Sequence, residues 1–243
     1  AHMGWQTHIR TKDTNPVLLK VPESSIPLST YRGTVGMPGR TAYFGLNRVG
    51  KPKSGETLVV SAASGAVGTV VGQLAKSYGC KVIGVACGPE KCAFVKDQLG
   101  FDECVDYKAG NLENDLKNAC QDGIDIYFEN VGGEVTRAVA PLLNSGARVP
   151  VCGFISQYNV KDIFETETPF HVLGKLNPKP EHRFFVVTEW ADEWDIATDE
   201  ISKLIESNNL VYKETITKGF VNAPQGLRDV LTGKNFGKQL IEI

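Results

Sequence analysis

The sequence predicts an α/β chain built on a doubly wound parallel sheet, and three observations carry that expectation. From Glu56 onward, short apolar runs of strand type alternate with segments whose apolar residues recur at helical spacing. The runs are apolar throughout, as strands covered on both faces of a parallel sheet must be. The turn after the first run, SAASGAVG, consists of glycines and other small residues and leads directly into a helical pattern. Strands and helices alternating at this length build parallel strands with right-handed crossovers.

Taken in order, ETLVVSAA is the first strand and AVGTVVGQLAKSYG a helix ending at Gly79. CKVIGVA is the second strand, and GPEKCAFVKDQLG a helix with Pro89 in its first turn and Gly100 at its end. FDECVDY is a short third strand, NLENDLKNAC a helix, and GIDIYFENVGG a strand that closes in a glycine-rich turn. EVTRAVAPLLNSG is a helix broken late by Pro141, and ARVPVCG the next strand. Residues 159–180 carry prolines and polar residues without periodicity, which predicts a surface excursion. Sheet character resumes with HRFFVVTEW, followed by an amphipathic helix in WADEWDIATDEISKLIESNN. The tail holds LVYKETIT, a helix over about 223–232, and a final strand, GKQLIEI.

The opening differs. GWQTHIRTKDTNPVLLKVPESSIPLSTYRG reads as short strands joined by proline turns, and is too short to form a core of its own. The expected organisation is a cloning scar at 1–3, the remnant of a β-rich domain at 4–33, an α/β domain at 34–209 and a C-terminal piece at 210–243.

Composition narrows the function. The chain has 243 residues, 42% of them hydrophobic, and a net charge of −2 without a basic cluster, so a sequence-independent grip on nucleic acid has no source. No stretch approaches the roughly 18 apolar residues of a membrane span, and no secretion signal opens the chain. The expectation is a soluble, cytoplasmic protein with neither nucleic acid nor membrane as partner. Its six cysteines form no C-x-x-C pair and have no histidine at ligand spacing, which predicts reduced structural thiols and no bound metal.

In the glycine turn, Ala63-x-Gly65-x-x-Gly68 is a variant of the dinucleotide fingerprint, placed between a strand and a helix where that fingerprint belongs. Small residues let the backbone approach a pyrophosphate, and the helix N-terminus offers free N–H groups and the positive end of its dipole. The alternative is a turn that only packs the helix tightly. A preference for NAD usually places an acid at the tip of the second strand, but here that tip reads Val85-Ala86-Cys87-Gly88, with Lys91 the first cation. The missing acid favours NADP, with Lys91 at the 2′-phosphate; a solvated surface lysine is the competing reading. Asn130, at the end of YFENVGG, either reaches a ribose or caps the next helix. Tyr158, in VCGFISQYN, either offers a phenol beside the nicotinamide or packs under a loop.

These stretches, with GMPGRTAYFGL at 36–46, FFVV at 184–187 and GKNFGK at 233–238, stand in an order that resembles the zinc-independent medium-chain dehydrogenase/reductases. Within them the likeness is to the leukotriene B4 dehydrogenase, prostaglandin reductase and curcumin reductase group. The resemblance spans nearly the whole chain. It implies a Rossmann NADPH-binding domain at 34–209 together with remnants of a GroES-like catalytic domain, whose N-terminal part is absent except for its end, GWQTHIRTKD, and to which the segment 210–243 returns. It also implies reduction, by NADPH and without zinc, of the carbon–carbon double bond of α,β-unsaturated ketones and aldehydes, and a homodimer.

The same resemblance implies roles for particular residues. Gly65, Ala66, Val67 and Gly68 form the pyrophosphate turn, while Lys91 and Tyr107 meet the 2′-phosphate. Asn130 contacts a ribose, and Cys152, Gly153, Phe154, Ile155, Ser156, Gln157 and Tyr158 run past the nicotinamide ribose. The backbone of Phe185, Val186 and Val187 meets the carboxamide, Asn235 closes on the cofactor, and Met37 to Tyr43 floor the nicotinamide site. Tyr158 is the candidate catalytic donor to the enolate oxygen that develops as hydride adds to the β-carbon, and no general acid is assigned for the α-carbon. Quinone reduction on the same cofactor site, and a non-catalytic dinucleotide-binding module, are the alternatives.

Overall fold

The computed structural model describes residues 5, 6, 8–10, 20–162 and 165–243. Helix α1 (Met37–Phe44), prolonged in a wider turn to Gly50, leads to strand β1 (Thr57–Ser61), every residue of which is buried. Then follow α2 (Gly68–Ser77), β2 (Lys81–Ala86), α3 (Pro89–Ala93), β3 (Glu103–Asp106), α4 (Leu112–Ala119), β4 (Ile124–Phe128), α5 (Gly133–Val139) and β5 (Leu143–Val151). Helix α6 (Pro169–Gly174) and β6 (Glu181–Phe184) complete the sheet, and α7 (Trp194–Glu206) follows it. A second sheet pairs β7 (Glu214–Lys218) with β8 (Lys238–Glu242) in parallel, with α8 (Ala223–Leu231) as the crossover.

The large sheet runs β3-β2-β1-β4-β5-β6, all parallel. Successive connections run one way from β1 to β3 and the other way from β4 to β6. The order therefore reverses between β1 and β4, and in an open α/β sheet ligands bind at the carboxyl ends of the strands beside that switch point. Alternate residues of each strand build two core layers. Leu58, Val60, Ile126 and Phe128 face Val70, Val71 and Leu74 of α2, while Val59, Ile83 and Tyr127 face Leu116 of α4 and Val135 and Val139 of α5.

Three expectations are corrected. Among the described residues of the opening segment there is no strand; Leu28–Arg32 forms a 3-10 turn, and residues 11–19 lie outside the described residues. A strand needs a neighbour for its N–H and C=O groups, and here no paired edge receives it. The excursion at 159–180 contains α6, whose start is tied by the Thr168 N–H donating to His171 Nδ1 at 3.2 Å and which buries Leu173 completely. Finally, the strand expected through Trp190 stops at Phe184, because Glu189 accepts the Val186 N–H at 2.8 Å and turns the chain into a 3-10 segment over Val187–Glu193.

Candidate cofactor site

A cavity of about 980 Å³ opens at the carboxyl ends of the central strands, and the glycine turn, the tip of β2, the end of β4 and the C-terminal lobe all border it. Its floor is the turn between β1 and α2. Ala62 takes a left-handed conformation (φ 51°), which brings its carbonyl under the start of the helix. A side chain on Gly68 would place its Cβ 2.3 Å from that carbonyl oxygen and 2.8 Å from Ala63 Cα, so only glycine fits there. Gly65, Ala66, Val67 and Gly68 all line the cavity at the N-terminal end of α2, where the N–H of Thr69 donates to the Gly65 carbonyl at 3.0 Å.

At the β2 side, Lys91 is half-buried. Its Nζ donates to the carbonyls of Gly233 at 2.7 Å and Asn235 at 2.6 Å, and it stands 5.7 Å from the centre of the Phe236 ring. That excludes the solvated-lysine reading. Burial lowers the Lys91 pKa from its ordinary value. An ammonium has three N–H donors, so one remains for a ligand beyond these two carbonyls. Tyr107 and Cys87 line the same end, and burial, with the Cys87 thiol beside it, pushes the Tyr107 phenol up to about 12. The acid missing from the β2 tip in the sequence arrives from β3 instead. Asp106 Oδ1 accepts the N–H of Gly88 at 2.8 Å and of Lys108 at 3.0 Å, so this oxygen holds the loop backbone.

Asn130 does not cap α5. Its backbone N–H donates to Ser61 Oγ and its side-chain Nδ2 to the Ser61 carbonyl, both at 2.8 Å. The amide nitrogen is thereby engaged and the side-chain oxygen is left as the acceptor at the cavity wall. The turn beyond it needs Gly132 (φ 78°) and Gly133 (φ 62°), conformations costly for any residue with a Cβ.

From the loop after β5, Cys152, Gly153, Ile155, Ser156 and Tyr158 line the cavity. Phe154 and Gln157 do not: Phe154 packs edge-on against Phe170 and Tyr158, and Gln157 is buried with Nε2 donating to the Glu167 carbonyl at 2.6 Å. The Tyr158 ring is 57% exposed, and its hydroxyl lies over Gly153, 2.5 Å from where a Cβ would stand. Partial burial raises its pKa from the ordinary tyrosine value. Burial pushes the Cys152 thiol up to about 12, so it is protonated and unreactive.

Not every sequence-predicted residue reaches this wall. Phe185 is buried beside Gly45 and Phe128, Val186 is exposed, and Val187 packs near Phe44, so none of the three lines the cavity. Met37 to Tyr43 lie on α1, which packs against α2 and α7 away from it. Asn235 does line it, with Nδ2 donating to the Gly237 carbonyl at 2.9 Å, and the Gly237 N–H in turn donates to the Ser64 carbonyl at 3.0 Å. Sequence reasoning missed this staple between the C-terminal loop and the glycine turn. It also missed the apolar wall supplied by Leu227, Val230 and Ile241, for which the amphipathic spacing of α8 was the available signal. Among the described residues no group of three or more His, Cys, Asp or Glu is placed to hold a metal ion.

A glycine cradle at a helix N-terminus, with a cation on its β2 side and a ribose-level acceptor on its β4 side, fits an elongated dinucleotide diphosphate. Comparison with known proteins agrees. The profile of the family described as zinc-binding dehydrogenase matches residues 66–190. The NADPH-dependent curcumin reductase of Escherichia coli is 42% identical over all of this chain, which spans 70% of that protein. Prostaglandin reductase 1 of Sus scrofa is 41% identical, again over the whole chain and 74% of its own length. The structure of CurA from Vibrio vulnificus in complex with NADPH superposes with a TM-score of 0.86 at 45% identity, covering 93% of this chain and 68% of that one. With the profile spanning half the sequence and such relatives aligned along all of it, this chain belongs to the medium-chain dehydrogenase/reductases, in their zinc-independent reductase group.

Proposed function

We propose that this protein is an NADPH-dependent reductase of the carbon–carbon double bond of α,β-unsaturated ketones and aldehydes. The observation that carries the reading is the half-buried Lys91 of α3 at the end of the glycine-turn cavity, beside a β2 tip without a carboxylate turned to the cavity. The reductases named above and the 2-alkenal reductase (NADP(+)-dependent) of Nicotiana tabacum, 39% identical over 99% of this chain, support the same chemistry.

Bound NADPH supplies the hydride. Gly65 to Gly68 hold the pyrophosphate, Lys91 and Tyr107 the 2′-phosphate, and Asn130 a ribose hydroxyl. Cys152, Gly153, Ile155, Ser156 and Tyr158 enclose the nicotinamide half, and Asn235 closes on the cofactor beside Lys91. Tyr158 donates to the carbonyl oxygen of the substrate as enolate charge develops there. A delocalised enolate needs less stabilisation than an alkoxide, so hydrogen-bond donors suffice.

In this reading 34–209 is the cofactor domain and 4–33 and 210–243 belong to a catalytic domain, in keeping with the separate β7–β8 sheet. The substrate is a small molecule. A homodimer forms along the open edge of β6, where Phe184 and Val186 are about half exposed. Six free cysteines suit the reducing cytoplasm. Among the described residues no helix is long and apolar enough to cross a membrane.

The test is a fluorescence titration with NADPH and with NADH, using wild type and Lys91→Ala. NADPH is expected to bind at least about tenfold tighter than NADH, a preference that Lys91→Ala abolishes. Equal affinities in the wild type overturn the NADPH assignment. NADPH binding without consumption on adding an enal or enone overturns the reductase and leaves a binding module.

A further inference from the structure

Glu129 closes β4 with none of its surface exposed, and no cation pairs with it among the described residues. A buried carboxylate without a counterion is costly and persists only where donors satisfy it. Oε1 accepts the N–H groups of Val131 at 2.7 Å and Gly132 at 2.9 Å and the Ser61 hydroxyl at 3.2 Å, and Oε2 accepts the Thr136 hydroxyl. Its backbone is engaged as well. The N–H donates to the Pro150 carbonyl, and the carbonyl accepts from Cys152 at 2.9 Å and Gly153 at 3.2 Å. One residue thus fastens the ends of β1, β4 and β5 and the first turns of α5. The next residue, Asn130, is held by the same Ser61 whose hydroxyl Glu129 accepts.

We infer that Glu129 is a positioning residue for the ribose and nicotinamide half of the cofactor site, an inference that rests on the NADPH reading above. Through the Ser61 hydroxyl it fixes the backbone of Asn130 and so the place of its side chain at the cavity wall, and through its own backbone it sets the start of the Cys152–Tyr158 loop. The 2′-phosphate end is independent of it. There the groups are Lys91, Tyr107 and Gly88, whose hydrogen bonds run to Gly233, Asn235 and Asp106 and none to Glu129. Only one half of the ligand therefore depends on this carboxylate.

That division makes the inference testable with two probes on the full chain, NADPH and 2′,5′-ADP, which carries the 2′-phosphate but no nicotinamide. In Glu129→Ala, NADPH affinity is expected to fall about tenfold or more while 2′,5′-ADP affinity stays within about twofold of wild type. Glu129→Gln keeps one oxygen acceptor for Val131 and Gly132 and should recover most of the loss. If Glu129→Ala does not fold, Ser61→Ala replaces it, with a smaller loss for NADPH and again none for 2′,5′-ADP. A merely structural role weakens both probes alike, or neither, and either result overturns the inference. Failure of wild type to bind 2′,5′-ADP and NADPH instead overturns the cofactor reading itself.

Discussion

At the scale of the residue, two glycines of the same turn have different reasons to be glycine. Gly68 is closed in by backbone: a Cβ there would stand 2.3 Å from the Ala62 carbonyl oxygen, and neither the strand end nor the helix start can retreat without breaking its hydrogen bonds. Gly65 meets the same oxygen at 3.1 Å, a contact that small shifts relieve, and its other side faces the cavity. The two alanine variants should therefore separate stability from binding. Gly68→Ala is expected to lose about 1–3 kcal/mol in chemical denaturation together with NADPH binding. Gly65→Ala should stay within about 1 kcal/mol of wild type yet bind NADPH about tenfold more weakly, because the new methyl stands where the pyrophosphate must approach. Equal losses of stability in the two variants would count against this account of the turn.

At the scale of the element, Arg148 of β5 closes the lower end of the sheet, remote from the cofactor cavity. Its guanidinium forms a two-pronged pair with Glu56, just before β1, and Nε donates to the Gly50 carbonyl at 2.8 Å; the two charged side chains are only 14% and 18% exposed. Replacing Arg148 with Met leaves Glu56 and Gly50 without these donors and should cost about 1–3 kcal/mol by denaturant unfolding, with NADPH affinity unchanged. The alternation of strands and helices around this pair was legible in the sequence because the period of the apolar residues switches sharply at each boundary, with Pro89 and Gly100 bracketing the α3 region. Helix α6 was not legible: it is six residues long, and a hydrogen bond between Thr168 and His171, not an apolar stripe, defines its start. The same limit applies to the site. Asn130 stood out, but whether it capped a helix or faced a ligand was decided by Ser61, 69 residues away in sequence. Glu129 carries no signal of its own in the sequence, because its four donors come from β1, the turn and α5.

At the scale of the molecule, the β7–β8 lobe is docked on the elements that build the phosphate site. Phe236 meets Phe94 edge-on at 4.8 Å and lies under the Lys91 and Lys213 ammonium groups, the Gly237 N–H bonds the Ser64 carbonyl, and Gln73 of α2 exchanges two hydrogen bonds of 2.8 Å with the Val211 backbone. Ligand binding at the glycine turn and Lys91 therefore acts on both bodies at once. Because Lys91 retains a donor after serving Gly233 and Asn235, a bound 2′-phosphate adds to this tether and does not displace it. A ligand present at 100 times its dissociation constant stabilises the native state by about 2.7 kcal/mol, which for a chain of this size raises the melting temperature by roughly 5–10 °C. The rise should come with slower amide exchange at residues 233–239 as well as at 62–70, and Lys91→Ala should speed exchange at 233–239 even without ligand. Protection confined to 62–70 would mean that the lobe does not feel the cofactor and that the Lys91 tether carries no coupling between the two sheets.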